Sequence, residues 1–327
     1  MKKTCFIWLF AGIFLLSCSK SPYREIDKAL SESDTYEIEY LARIDSVRNV
    51  LKSALTDEQK WDCLYELFDL FKHYNSDSTQ YYSHLLMQYH GNDPDRMLIS
   101  QSAEVRSLSR QSYFNEAELL FERLSVSSEN TSKAITDYFY AGEVLYSELL
   151  KIDPSKSKRK TAELADKYRQ FDSTSVAYHL LTAKSLRYNG NPKECIDLLS
   201  TLPESRFKEH NYSLYHYNLA LAYEELGNTE LQQLHLILSA NEDIRMSKKD
   251  YSSLYSLAML LFEKGDIQRA SSYLGKALSD ALQYNYPVGL IRSASASLLV
   301  NELLRQRHRF DAVACFAGDI VYFHGGA

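Results

Sequence analysis

Apolar positions in residues 257–281 recur at intervals of three and four. Leu257, Ala258 and Leu261 form one stripe, and Ile267, Ala270, Leu274 and Ala277 form another. That spacing places one apolar face on each of two helices, and the Gly265-Asp266 pair between them marks the break. The pattern repeats. Residues 219–243 align with it at an offset of 38, matching Leu219, Ala220, Tyr223, Gly227 and Leu236. A copy 37 residues earlier supplies Ala183, Leu186, Gly190, Cys195 and Leu199.

The polar positions punctuate each copy in the same way. Gly190-Asn191, Gly227-Asn228 and Gly265-Asp266 put glycine where a helix must close in the left-handed conformation. An Asn or Asp follows, able to cap the next helix, and Pro192 suits a first helical position. Ser247 to Asp250 reads as a capping box opening the helix that leads to Gly265. Upstream the period weakens. Residues 112–124 read as a second-helix segment carrying Phe114, Ala117 and Phe121, residues 65–86 as a helical pair broken at Asn75-Ser76, and residues 132–170 as two helices joined near Pro154. Before them Leu41, Ile44, Val47, Leu51 and Leu55 predict one amphipathic helix over 25–56 that needs a partner.

Two-helix units that cannot bury their apolar stripes alone stack into a solenoid. The fold class expected is therefore all-α, an α-α superhelix with a concave groove. The unit resembles the tetratricopeptide repeat: Ala258, Gly265, Ala270 and Ala277 match that motif residue by residue, with Leu261 and Leu274 where aromatics are usual. Ala220, Gly227 and Gly190 hold equivalent repeat-defining positions in the earlier copies, although Gln232 and Ser239 stand where alanines are expected.

Composition narrows the class. The 327 residues are 45% hydrophobic, with only 11 glycines and 6 prolines to interrupt helices. Lys2 and Lys3 followed by an apolar run from Phe6 to Leu16 make a secretory signal too short to span a bilayer. The run ends in Leu15-Leu16-Ser17-Cys18, which resembles a bacterial lipoprotein lipobox; the resemblance implies cleavage before Cys18 and lipidation there. Loss of residues 1–17 takes the formal net charge from −6 to −8. So acidic a chain is a poor partner for nucleic acid, and the basic run Lys156, Lys158, Arg159, Lys160 reads as a solvated helix start. Cys63, Cys195 and Cys315 have no disulfide or zinc spacing; Cys63 and Cys195 read as small buried hydrophobes.

No catalytic, phosphate-loop or metal-site motif occurs, so neither an enzyme nor a cofactor or metal is expected. The histidines are dispersed, and His179, His216 and His235 fall within repeat helices. The densest cluster of recognition-type side chains is residues 208–218. There Tyr212, Tyr215 and His216 are the candidates for lining the groove.

The order of features, including "DEQKWDCLYELFDLFKHYNSDSTQYYSHLL" and "SANEDIRMSKKDYSSLYSLAMLLFEKGDIQRASSYLGKALSDALQYN", resembles Bacteroidetes tetratricopeptide-repeat lipoproteins. In longer members such an array precedes a membrane helix, a coiled coil and a C-terminal domain of unknown function, and some are described as regulators. The expected organisation is a signal peptide at 1–17, a tether at 18–24, the amphipathic helix at 25–56 and the repeat array at 57–308. Residues 309–327, where helical periodicity stops, form an irregular tail or the product of a truncation or altered reading frame. The function expected is a lipid-anchored, non-catalytic scaffold in the cell envelope, facing the periplasm. It would bind a protein or peptide as the sensory part of a signalling assembly. The alternative is a carbohydrate-binding lipoprotein of a glycan-uptake system, for which Trp61 is the one tryptophan left after cleavage.

Overall fold

The structure, a computed structural model, describes residues 21–208, 211–250, 252–285, 289–302 and 304–305. Cys18, the signal at 1–17 and the tail at 309–327 lie outside the described residues. Among the described residues the chain is helical with no strands: an α-α superhelix of stacked helical pairs.

The chain opens with α1 (Arg24–Ser31) and α2 (Ser33–Ser53), two helices meeting at Glu32 where one was expected. The pairs that follow are α3 (Asp57–Phe71) with α4 (Ser76–Tyr89), α5 (Pro94–Arg110) with α6 (Phe114–Phe121), and α7 (Ser132–Leu149) with α8 (Pro154–Arg169). After them come α9 (Val176–Tyr188) with α10 (Pro192–Ser200), the single turn α11 (Ser205–Lys208), α12 (Tyr212–Glu225) with α13 (Thr229–Arg245), and α14 (Ser252–Glu263) with α15 (Ile267–Tyr284). A further helical run begins at 289.

The junctions obey their chemistry. Gly190, Gly227 and Gly265 all have φ between 71° and 82°. In each case the next residue's N–H reaches back five positions, to Leu186, Tyr223 or Leu261, and closes the helix end. Asn228 and Asp266 then accept from Leu231 and Arg269 to cap the following helix, whereas Asn191 makes no such bond and leaves the start of α10 to Pro192. The capping box read at 247–250 is not formed. Ser247 (φ 52°) instead closes α13, the Lys248 N–H reaching the Asp243 carbonyl. A serine here does what Gly190, Gly227 and Gly265 do at their junctions, so the sequence signal was misleading.

Small residues let the helices approach. Ala220, Ala258, Ala270 and Ala277 are buried in one core with Leu236, Leu257, Leu261, Tyr273 and Leu274. A larger core spans α2 to α9 and includes Trp61, Phe68, Phe139 and Tyr168, and a small one built on Cys195, Leu199, Phe207 and Leu219 joins the two. Phe139 stacks on Tyr168 at 4.1 Å between ring centres.

The superhelix curls until its end meets its beginning. The α1 residues Ile26 and Ala29 are buried in the C-terminal core against α13, while Ile44 and Val47 of α2 belong to the N-terminal one. The first two helices therefore lie across the seam of a ring, and the groove is not an open trough along its whole length.

Candidate functional site: the polar inner face of the ring

The three candidates from the sequence sit together at the start of α12, turned mostly into the packing. Tyr215 is buried and stacks on Phe207 at 4.2 Å. His216 is 2% exposed, with Nδ1 2.8 Å from His235 Nδ1 on α13. Burial, then the neighbouring His235, lowers its pKa to about 4, so the pair shares a hydrogen bond between neutral rings at neutral pH. Tyr212 is the more accessible of the three. Its hydroxyl donates to Glu204 Oε1 at 2.9 Å, and burial followed by that bond pushes its pKa up to about 12. His179 is likewise tied down, Nδ1 lying 2.8 Å from the Ser175 carbonyl. Trp61 is inside the core, its Nε1–H donating to Ser100 Oγ at 3.0 Å. That removes the indole face a glycan would need.

Sequence reasoning missed a charged ladder on the successive first helices. Arg106 of α5 meets Asp137 of α7 at 2.8 Å, and Arg110 meets Glu148 at 3.0 Å. Glu143 of α7 pairs with Lys184 of α9, and Arg187 of α9 with Glu225 at the end of α12 at 3.1 Å. Two of these pairs, Arg110–Glu148 and Arg187–Glu225, are separated by 38 residues, as are Lys156–Glu118 and Arg96–Glu58. That separation is the repeat period, so each such pair joins equivalent positions of neighbouring units. Opposite charges offset by one period are the signal that could have found them.

The ladder faces the ring's interior, because Arg110 also reaches Asp250 from the far end of the array (3.5 Å). Beside it, Phe68, Lys72, His73, Arg106, Arg110 and Tyr140 surround a recess with room for about one water, near 10 Å³. Arg106 lies over the Phe68 and Tyr140 rings at 4.7 and 5.1 Å. A metabolite-sized ligand needs some thirty times that space.

The recess lies at a polar seam between the ring's two ends. On one side is the α3–α4 turn, Lys72 to Asp77. On the other are the α13–α14 turn and the end of α15. His73 Nδ1 donates to Asp250 Oδ2 at 2.8 Å, and the Lys249 N–H donates to the His73 carbonyl at 2.7 Å. The Tyr284 hydroxyl donates to the Lys72 carbonyl (2.9 Å), Asn75 Nδ2 to the Gln283 carbonyl (3.0 Å) and Asn285 Nδ2 to Asp77 (2.9 Å). Lys249 Nζ, 2% exposed, bridges Glu37 at 2.7 Å and Asp280 at 3.2 Å. Burial disfavours charge on Asp250, but His73 and then Arg110 outweigh it and hold that carboxyl well below the usual carboxylate range. Glu37 is treated the same way, burial being overcome by bonds from Lys249, Tyr74 and Gln283, and settles at about 2.

Among the described residues no group of three or more His, Cys, Asp or Glu could hold a metal, and no helix is long and apolar enough to cross a membrane. Cys63 and Cys195 are buried, burial pushing the Cys195 thiol up to about 11.

Comparison with known proteins agrees with this architecture. No curated protein matches the sequence. The family model described as the SusR N-terminal TPR domain matches residues 30–289, which spans α2 to α15 and the whole of the charged ladder. Over that span the stacked pairs, their glycine-closed ends and their small-residue seams are those of a repeat array, and the chain belongs to the SusR N-terminal TPR domain family.

Proposed function

We propose that this protein is a non-catalytic helical-repeat scaffold that binds a protein partner, acting as the sensory part of a regulatory assembly in the cell envelope. The inner face of the ring carries this reading. Its side chains form a row of ion pairs between successive first helices, two of them separated by the period of the array, a surface suited to fixing the register of an extended polar segment, and the recess within it admits about one water. The family name, SusR, supports a regulatory setting in the same sense. The anchor is proposed at Cys18, with the array facing the periplasm. A glycan-binding role has less support, since Trp61 is enclosed in the core.

Photo-crosslinking in living cells tests it. A photoreactive residue at Tyr212 or Glu225 should yield a discrete adduct with one protein, and the same residue at Leu55, which is 89% exposed in the turn between α2 and α3, should not. Equal labelling from both places, or from neither, counts against the scaffold. For the anchor, metabolic labelling with an alkyne fatty acid should mark the wild-type protein and not the Cys18→Ala variant.

A further inference from the structure

The turn from Ser247 to Asp250 shares its left-handed serine with the end of α5, where Ser112 is exposed, but differs in being buried. Where its neighbours close with glycine at the surface, this one is driven into the ring. Ser247 and Lys249 are both 3% exposed. Ser247 holds a left-handed backbone without being glycine, and its hydroxyl is buried with no hydrogen-bond partner. A non-glycine residue in that region is strained, and an unpaired buried hydroxyl adds to the cost. The turn is therefore held by what it touches rather than by its own preference.

What it touches is the inner face of the first units. The Lys249 N–H bonds to the His73 carbonyl, and the Asp250 carboxylate enters between His73 and Arg110, with Lys72 and Arg106 lining the recess behind them. A main-chain hydrogen bond followed by one acidic side chain is how an extended peptide is recognised. The contact is built mainly from polar bonds, with the buried Tyr284 ring among them, and the two large cores on its sides are separate. Parting it uncovers that ring but divides neither core, and the α1–α2 break at Glu32 (φ −100°, ψ 1°) lies on the stretch of chain that would have to bend.

We propose that the Ser247–Asp250 turn is a built-in occupant of the inner face, holding the ring shut in the place where a lysine-aspartate segment of the protein partner binds, its lysine towards Glu37 and Asp280 and its aspartate towards His73 and Arg110. The partner displaces the turn and opens the ring at the seam between the α3–α4 turn and the end of α15. This rests on the scaffold reading above and names the chemistry of what the scaffold holds.

The test uses the full chain and a fluorescent peptide with the sequence of residues 243–250, DIRMSKKD, as the probe. Wild-type protein, its site filled, should bind weakly. Asp250→Asn, which keeps the shape and removes the charge, should bind at least tenfold more tightly, with an unchanged helical circular dichroism spectrum. Adding Arg110→Ala should return binding to the wild-type level. A disulfide between Asn75→Cys and Gln283→Cys, locking the seam, should reduce peptide binding by the Asp250→Asn protein to the wild-type level, and reduction should restore it. Equal binding by wild type and Asp250→Asn, or undiminished binding by the locked form, overturns the proposal. The two readings fail separately: a locked protein that still forms its crosslinked adduct in cells keeps the scaffold and loses the internal occupant.

Discussion

At the scale of single residues, three glycines show how differently one residue type can be used. A Cβ on Gly142 of α7 would lie 2.6 Å from Phe121 Cζ and 2.8 Å from Leu164 Cδ2, both in the N-terminal core. Gly142→Ala should lower stability by about 1–3 kcal/mol, seen as a lower urea midpoint. Gly265 has open space but φ +82°, so Gly265→Ala should cost about 1 kcal/mol through the backbone alone. Gly275, mid-helix with nothing within 4 Å, should gain about 0.5–1 kcal/mol on becoming alanine. The sequence distinguishes only the second of these, because Gly followed by Asn or Asp at a helix boundary is a local signal. The tight packing at Gly142 comes from α6 and α8. The left-handed serines at 112 and 247 carry no local mark either. The tyrosine-histidine cluster at 212–216 was legible as a cluster. Its burial was not, because it depends on α11 and α13 closing over it.

At the scale of elements, helix boundaries follow the hydrophobic period closely where caps are strong. The Asn75 break, the Pro154 start of α8 and the three glycine junctions were all visible in the chain. The charged ladder was not, because each charge on its own reads as a solvated face and only its partner, on the next first helix, makes it structural. Glu143 and Lys184, side chains 10% and 13% exposed, form the clearest case. Burial opposes the lysine's charge, but Glu143 outweighs it and raises the Lys184 pKa. Lys184→Met should leave a buried carboxylate and cost about 3 kcal/mol, whereas Lys184→Met with Glu143→Leu should recover most of that. Urea unfolding of the two variants, compared as a cycle with Glu143→Leu, reads the difference.

For the whole molecule, what the sequence could not show is that the array returns on itself. A solenoid's stripes describe contacts between neighbours, and none encodes Tyr273 meeting Asp27 or Asp250 meeting His73. The closure has a pH signature. Glu37 and Asp250 have folded pKa values depressed from 4.5 and 3.8, so their contribution is complete above about pH 5 and lost as the pH falls towards 2. Asp280 opposes them: burial raises its pKa, so it is protonated more readily when folded. Burial also lowers the His73 pKa, so this partner of Asp250 resists taking a proton while folded; three groups that lose stability in acid against the one that gains it should open the seam there. Protection of the Lys249 amide from hydrogen exchange, taken relative to its intrinsic rate at each pH, should fall below pH 4 while helical ellipticity is retained; protection that tracks the ellipticity would mean the ring has no separate opening step.

The docking of α1 also sets an order of assembly. Its residue Ile26 leaves the ribosome early, yet the surface it settles on includes Leu236, Leu257 and Tyr273, made more than two hundred positions later. Until then the earliest helix has no home for its greasy side, and nascent chains stalled before α13 should expose it to chaperones. The last layers synthesised thus give the first helix its shelter, and shortening the array from its far end would be felt at its opening residues.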